Sequence, residues 1–426
     1  MDQTIAAAPA HPAPDSSDAS TGHPGGHPGT AQGGHPGTAQ GGHPGGHPGA
    51  IPSAGSVRPT GYAFERAPMM LYWEMTRSCG LVCRHCRAEA NSERHPSELT
   101  TAEAEVLLDR VLGFGNPMPH VVFTGGDPLR RPDLAHLVRA ARARGIGASL
   151  APAATPELTR DALFRLKDAG VQNISLSLDG SNAQRHDGFR GVEGTFDLTV
   201  RAAGWAQEAG LPVQLNTLVT NETLDDLPAI YELCPSLGIM RWSLFFLISV
   251  GRGTDLQEIT PAESEKLMAW LLEIGQTAPF QVKTTEATHY RRIAIRTMHD
   301  RGLSDEEIAQ TSIGRGFGIR DGNGIMFVNF DGDIYPSGFL PVAAGNVRRD
   351  DIVDVYRSSE LFRSLRDVKN FKGRCGRCEY NALCGGSRAR AFTWTGDPLE
   401  SDPLCPYVPP THAAATDPAV SRATAR

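Results

Sequence analysis

Short apolar runs rich in β-branched and aromatic residues alternate with amphipathic segments between Met70 and about Phe246. The runs predict strands, and the 3.6-residue periodicity between them predicts helices near 101–113, 132–144, 157–169, 194–209 and 223–237. The predicted strands are Leu71–Met75, His120–Thr124, Ile146–Leu150, Asn173–Leu178, Val213–Val219 and Arg241–Phe246. This alternation is typical of an α/β fold in which β/α units surround a parallel sheet.

The pattern changes after about Thr260, where it predicts a helix at 261–275, scattered short strands, a turn at 331–333 and a last helix near 351–366. We therefore expect a core domain at 63–255, a connecting region that contacts substrate at 256–335, and a smaller module at 336–410.

Both ends of the chain lack large apolar side chains. Residues 1–62 are rich in Gly, Pro, Ala, Ser and His, and 411–426 are rich in Ala and Thr, so we expect disordered tails. A Gly-His-Pro-Gly repeat places imidazoles at His23, His27, His35, His43 and His47. Weak metal binding by these spaced imidazoles is an alternative to a flexible tail.

Charge and hydropathy limit the classes of partner. The formal net charge is −7, which argues against polyanionic nucleic-acid and membrane surfaces and favours a small organic molecule or a peptide. No apolar run approaches the ~20 residues of a membrane span. The N-terminus shows no secretory signal, so we expect a cytoplasmic protein.

Three of the eight cysteines stand close together as Cys79-x3-Cys83-x2-Cys86, directly after the first predicted strand. Thiolates hold iron–sulfur clusters, and three of them leave one iron of a four-iron cubane without a protein ligand. A zinc site completed by His85 and a disulfide are the alternatives.

The spacing resembles the radical S-adenosylmethionine (radical SAM) superfamily. The resemblance implies a partial (β/α)6 barrel with its reactive loops at the C-terminal strand ends, a [4Fe–4S] cluster on Cys79, Cys83 and Cys86, and S-adenosylmethionine on the open iron. It also implies an external electron donor such as ferredoxin or flavodoxin.

Three further segments match the parts of that superfamily that bind S-adenosylmethionine. Thr124-Gly125-Gly126-Asp127-Pro128 follows the second strand, and the resemblance gives its backbone the methionine amino group. It gives Ser177 the ribose and Arg190 the methionine carboxylate, with Asn216 as a further ribose candidate. An ordinary tight turn and satisfied polar groups at a barrel rim are the alternatives.

Four later cysteines, Cys375-x2-Cys378-x5-Cys384-x20-Cys405, can saturate a cubane or a zinc ion. They resemble the SPASM or Twitch module, which implies an auxiliary [4Fe–4S] cluster. Ser337 stands where the larger SPASM form has a further cysteine, so we predict one auxiliary cluster. We expect Cys234 to be a buried apolar residue.

The sequence from Cys384 to Cys405 resembles that of the haem-biosynthesis branch of the superfamily (haem d1 and the alternative haem pathway). Members of this branch modify carboxylate side chains of tetrapyrroles. A tetrapyrrole needs cationic partners, and His289 or Tyr290 is a candidate axial ligand or proton donor. The candidate cations are Arg252, Arg291, Arg292, Arg315, Arg320, Arg388 and Arg390. A solvated helix face is the alternative.

Two other functions compete with a tetrapyrrole enzyme. Many SPASM proteins are maturases that cross-link or epimerise ribosomally made peptides. A non-enzymatic iron–sulfur electron carrier would explain the cysteines, but it leaves the Gly-Gly-Asp-Pro turn without a role.

Overall fold

The computed structural model describes residues 63–311, 313 and 318–410, which belong to one structural unit of residues 49–426. The described residues contain ten strands: β1 Met70–Glu74, β2 His120–Thr124, β3 Ala148–Leu150, β4 Asn173–Ser177, β5 Val213–Val219, β6 Arg241–Phe246, β7 Gln281–Thr285, β8 Ile325–Val328, β9 Asp333–Tyr335 and β10 Gly345–Asn346. Both predicted tails, with the five repeat histidines, lie outside these residues.

The strands form one sheet in the order β10-β9-β8-β1-β2-β3-β4-β5-β6-β7. Every neighbouring pair from β8 to β7 is parallel, whereas β9 is antiparallel to both β8 and β10. The sequential order of β1 to β6 confirms the predicted α/β partial barrel.

Helices connect the strands and continue after β7. In the described residues they are α1 Thr101–Val111, α2 Leu134–Ala143, α3 Arg160–Ala169, α4 Ala183–Arg190, α5 Thr195–Glu208, α6 Leu227–Leu233, α7 Pro261–Ile274, α8 Tyr290–Asp300, α9 Asp305–Gln310, α10 Ile352–Ser358, α11 Glu360–Arg366, α12 Gly373–Arg377 and α13 Arg388–Thr395. None of them combines the length and apolarity that a membrane span requires.

The predicted elements recur with small shifts at their ends. β2, β5 and β6 match residue for residue, and the largest change is α6, which is shorter than the predicted 223–237. Pro228 stands in its first turn and Pro235 follows its last residues, and a proline disfavours helical backbone at the residue before it.

The sheet is wider than the six predicted strands, because β7 adds to β6 and β8 adds to β1. The sequence of β7, Gln-Val-Lys-Thr-Thr, has no apolar run to mark it as a strand. The predicted connecting region therefore supplies strands to the same sheet, and the predicted domain boundaries stay predictions.

The two faces of the sheet differ in polarity. On one face Trp73 of β1 packs 5.7 Å from Phe123 of β2, measured between ring centroids, within the main apolar core. Side chains alternate along a strand, so Ser175 and Ser177 of β4 and Asn216 of β5 lie on the opposite face, where they line a cavity. The fold thus presents polar side chains to the barrel interior.

Candidate functional site

The loop after β1 brings the first three cysteines to a cavity of about 260 Å³ at the C-terminal ends of the strands. Within this loop the Leu81 N–H donates to Cys79 Sγ at 3.3 Å, and the Ala90 N–H donates to Cys86 Sγ at 3.4 Å. Hydrogen bonds of this kind favour a thiolate over a thiol, and they orient the sulfurs.

Burial opposes that charge. It raises the pKa of the Cys79 thiol to about 12, and it raises the pKa of Cys83, although the positive charge of Arg190 partly offsets the shift there. Ionised thiolates in this loop therefore need a further positive charge. Iron supplies that charge, so the donor set fits a cluster.

The zinc and disulfide alternatives find no support in the arrangement of the thiols. All eight cysteines are free, and Cys234 is buried, as predicted. In the described part of the chain no three His, Cys, Asp or Glu side chains converge on one metal ion. A zinc site requires that convergence, with each sulfur about 2.3 Å from the ion.

The Gly-Gly-Asp-Pro turn after β2 packs directly on the cysteine loop. The Gly126 N–H donates to Thr76 O at 2.7 Å, and the Asp127 N–H donates to Ser78 O at 2.8 Å. A Cβ on Gly126 would lie 2.5 Å from Ser78 O. The glycine is thus required by this close approach of two backbones, and Gly125 and Gly126 also line the cavity.

Asp127 differs from its two neighbours, because its side chain is fully buried and is not among the residues that line the cavity. Its carboxylate accepts hydrogen bonds from Thr155 Oγ1 at 2.6 Å and from the Leu129 N–H at 3.1 Å. The aspartate therefore fixes the turn, and only its backbone remains a candidate for contact with a ligand.

Ser177 and Asn216 are register partners on β4 and β5, and both line the cavity. Asn216 Oδ1 accepts a hydrogen bond from Gln214 Nε2 at 2.8 Å. The two positions predicted for the ribose are thus adjacent.

Arg190, the last residue of α4, forms a buried ion pair with Asp179, and its Nη1 lies 3.7 Å from Cys83 Sγ. Burial alone would raise the pKa of Asp179, but the charge of Arg190 lowers it below its usual value. The buried Nε of Arg190 has no hydrogen-bond partner in the described residues. A free donor beside the three cysteines fits an anionic ligand group.

Arg252 was predicted to bind a substrate carboxylate, and it lines the cavity with an Nη2 that has no hydrogen-bond partner among the described residues, so that role stays a prediction. Its Nε donates to Cys83 O at 2.8 Å and its Nη1 donates to Ala90 O at 3.0 Å. The preceding Gly251 has φ 54°, and a Cβ there would lie 2.6 Å from Cys86 O. This segment after β6 therefore also holds the cysteine loop in place.

The four later cysteines line one second cavity, as their spacing predicted. Arg388 Nη2 lies 3.6 Å from Cys375 Sγ, the Asp402 N–H donates to the same sulfur at 3.4 Å, and Thr288 Oγ1 lies 3.6 Å from Cys384 Sγ. Such contacts tune the reduction potential of a cluster.

The prediction that the candidate cations bind a tetrapyrrole is wrong for most of them, because their guanidinium groups are held by other groups of the protein. Arg390 donates to Glu258, to Glu286 O and to Leu247 O, and Arg388 donates to Pro398 O and Glu400 O. Buried guanidinium groups need such partners.

Three further arginines of the predicted set also have partners within the protein. Arg292 pairs with Glu265, Arg291 donates to Ile319 O and Leu383 O, and Arg320 donates to Gly318 O. His289 is fully buried beside Ser264, Tyr290 packs against the core, and Arg315 lies outside the described residues. Neither His289 nor Tyr290 lines the first cavity, which removes them as axial ligands there.

Two protein-family models match this chain. A radical SAM superfamily model matches residues 73–234, and a SPASM iron–sulfur cluster-binding domain model matches 320–379. The AdoMet-dependent heme synthase of Oleidesulfovibrio alaskensis is 39% identical over 350 residues, which cover 81% of this chain and 89% of that protein. This chain belongs to the radical SAM superfamily. It is therefore an enzyme rather than an electron carrier, and its family cofactors are S-adenosylmethionine and [4Fe–4S] clusters, including an auxiliary one.

A further relative and a solved structure are also similar to this chain. The AdoMet-dependent heme synthase of Methanosarcina barkeri is 38% identical over 347 residues, covering 82% of this radical SAM chain and 99% of that protein. The fold of SuiB from Streptococcus suis, solved bound to S-adenosylmethionine, matches with a TM-score of 0.64 at 18% identity, over 80% of this chain and 78% of SuiB.

We predict that Gly126→Ala prevents assembly of the first cluster, because the added methyl group would displace the cysteine loop. Gly204→Ala is the matched control, since that helical glycine has no atom within 4 Å of a Cβ and alanine should stabilise α5 by about 0.5–1 kcal/mol. Iron content and EPR after anaerobic reconstitution measure the result. Two intact clusters in Gly126→Ala would contradict the prediction.

Proposed function

We propose that this radical SAM enzyme is a haem synthase that oxidatively decarboxylates propionate side chains of iron coproporphyrin III. The observation that carries the proposal is the similarity to AdoMet-dependent heme synthases over almost their whole length. The cavity supports it, because Cys79, Cys83 and Cys86 adjoin polar side chains and a buried guanidinium in one space.

In this proposal Cys79, Cys83 and Cys86 hold the first cluster, and Gly125, Gly126, Asp127, Ser177, Arg190 and Asn216 hold S-adenosylmethionine. The bound cofactors supply a 5′-deoxyadenosyl radical that takes a hydrogen atom. Arg190 presents its guanidinium to the methionine carboxylate, the Gly125–Asp127 backbone receives the amino group, and Ser177 and Asn216 receive the ribose. Asp179 keeps Arg190 oriented.

In the overall reaction each propionate that reacts loses one hydrogen atom, one electron and carbon dioxide. A hydrogen atom leaves the methylene that joins the ring, and the bond between the second methylene and the carboxylate breaks. Carbon dioxide leaves, a vinyl double bond forms, and one electron remains. Cys375, Cys378, Cys384 and Cys405 would hold the auxiliary cluster that accepts this electron, while an external donor such as ferredoxin or flavodoxin starts each turnover.

The function is tested by incubating the anaerobically reconstituted protein with reductant, S-adenosylmethionine and iron coproporphyrin III. We expect loss of carboxyl mass from the porphyrin in proportion to 5′-deoxyadenosine. If 5′-deoxyadenosine accumulates while the porphyrin stays intact, the tetrapyrrole assignment is wrong. A peptide substrate then becomes the next candidate, since SuiB has also been solved bound to its precursor peptide SuiA.

Arg190→Gln should weaken binding of S-adenosylmethionine about tenfold or more, because a charge-assisted contact is lost. Equilibrium dialysis on the reconstituted variant measures the affinity, and the EPR signal of the reduced clusters shows whether both are present. Lys167→Gln, an exposed helix substitution remote from the cavity, is the control. Unchanged affinity in Arg190→Gln would remove this residue from the cofactor site.

Replacing Cys375 or Cys378 by alanine should preserve 5′-deoxyadenosine formation while stopping porphyrin decarboxylation, because the electron from the substrate has no acceptor. Cys234→Ala is the control, since this thiol lines neither of the cavities that contain the other cysteines and donates to Ile230 O at 3.3 Å. Both products are followed by mass spectrometry. Decarboxylation at the normal rate in the Cys375 variant would make the second cluster structural.

A further inference from the structure

A third cavity, of about 310 Å³, adjoins the first cavity, which the three cysteines line, on the side of β8 and β9. The two cavities share lining residues, namely Arg87, Ala88, Val250 and Phe339. None of the residues proposed to bind either cluster or S-adenosylmethionine lines this neighbouring cavity, which we call the β8 cavity. Its size lies within the range of small-molecule sites.

Aromatic rings form much of its wall. Phe327 of β8 and Tyr335 of β9 are register partners whose ring centroids lie 6.2 Å apart, and Phe330 follows β8. Phe339 at the junction packs 6.5 Å from Phe245, measured between centroids, and Phe245 lines the cysteine cavity. Rings in this arrangement favour contact with a flat conjugated ligand.

Arg87 is the one cationic side chain, among the described residues, that lines both cavities. Its guanidinium carbon lies 4.6 Å from the centroid of Phe327, and Nη2 donates to Glu74 Oε2 at 2.5 Å. The Glu74 side chain is only 3% exposed. A buried carboxylate and a ring therefore hold the guanidinium in one orientation at the junction.

Two other arginines lie near the junction, and each lines only one of the two cavities. Arg77 lines the β8 cavity, donates to Ala88 O and pairs with Glu89. Arg252 lines the cysteine cavity and donates to carbonyl groups of the cysteine loop, and its Nη2 has no hydrogen-bond partner among the described residues. Arg87 has five N–H donors, of which Glu74 takes one, and no other described residue accepts a hydrogen bond from its side chain. Its remaining donors suit a second carboxylate.

We propose that the β8 cavity binds the edge of an iron porphyrin and that Arg87 binds the carboxylate of the propionate that reacts. The inference rests on the proposed haem synthase function and names the substrate site within it. A carboxylate held at the junction places the adjoining methylene groups beside the cavity that contains Cys79, Cys83 and Cys86. Glu74 acts as a positioning residue for Arg87.

The test compares Arg87→Gln with Arg84→Gln in the reconstituted holoprotein. Arg84 lies on the same loop, but it is half-exposed, pairs with Glu222 and lines neither cavity. Optical titration with iron coproporphyrin III should show binding about tenfold or more weaker for the Arg87 variant alone. Titration with the tetramethyl ester, which keeps the macrocycle but has no carboxylate, should not distinguish the two variants.

Arg87→Lys provides a second comparison if the glutamine variant loses its clusters. It keeps the charge but not the planar fork, so affinity for iron coproporphyrin III should fall between those of wild type and Arg87→Gln. Wild-type affinity in a cluster-loaded Arg87 variant, or equal weakening for acid and ester, would overturn the inference while leaving the haem synthase assignment in place. A wild-type protein that neither binds nor converts the porphyrin would overturn both.

Discussion

The structure depends on how the backbone of the partly buried cysteine loop is held. Carbonyl groups of the cysteine loop accept hydrogen bonds from Gly126 and Asp127 on one side and from Arg252 on the other. Buried backbone groups need such partners, and here the partners come from the ends of β2 and β6. The thiols are consequently positioned by the barrel itself, at the strand ends where the polar side chains of β4 and β5 also lie.

In the second half of the chain, buried arginine side chains donate hydrogen bonds that connect segments of the backbone. The guanidinium groups of Arg388 and Arg390 are fully buried. Arg388 donates to Pro398 O and Glu400 O, and Arg390 donates to Glu258 and to Leu247 O on two separate segments. Leaving any of these charges unpaired would be costly, so the segments and the arginines stabilise one another. Positive charge near Cys375 Sγ also favours the reduced state of a cluster held there, which suits an electron acceptor.

Much of this could be predicted from sequence, because apolar periodicity marks β1 to β6 and close cysteine spacing marks both thiol sets. The hydrogen-bond and ion-pair partners of individual charged side chains could not be predicted from the sequence. From the sequence, Arg390 and Arg292 were candidates to bind a substrate carboxylate. In the fold, Arg390 pairs with Glu258 and Arg292 pairs with Glu265. β7 lacks an apolar run, and the importance of Arg87 emerges only when β8 pairs with β1 and places Phe327 beside it.

We propose that hydrogen is removed from a propionate side chain in the cavity of Cys79, Cys83 and Cys86. Iron coproporphyrin III deuterated in both methylene groups of its propionates tests it most directly, with mass spectrometry of the 5′-deoxyadenosine formed in a single turnover. We expect deuterium in 5′-deoxyadenosine together with a vinyl product. Unlabelled 5′-deoxyadenosine accompanied by an unchanged porphyrin would contradict it.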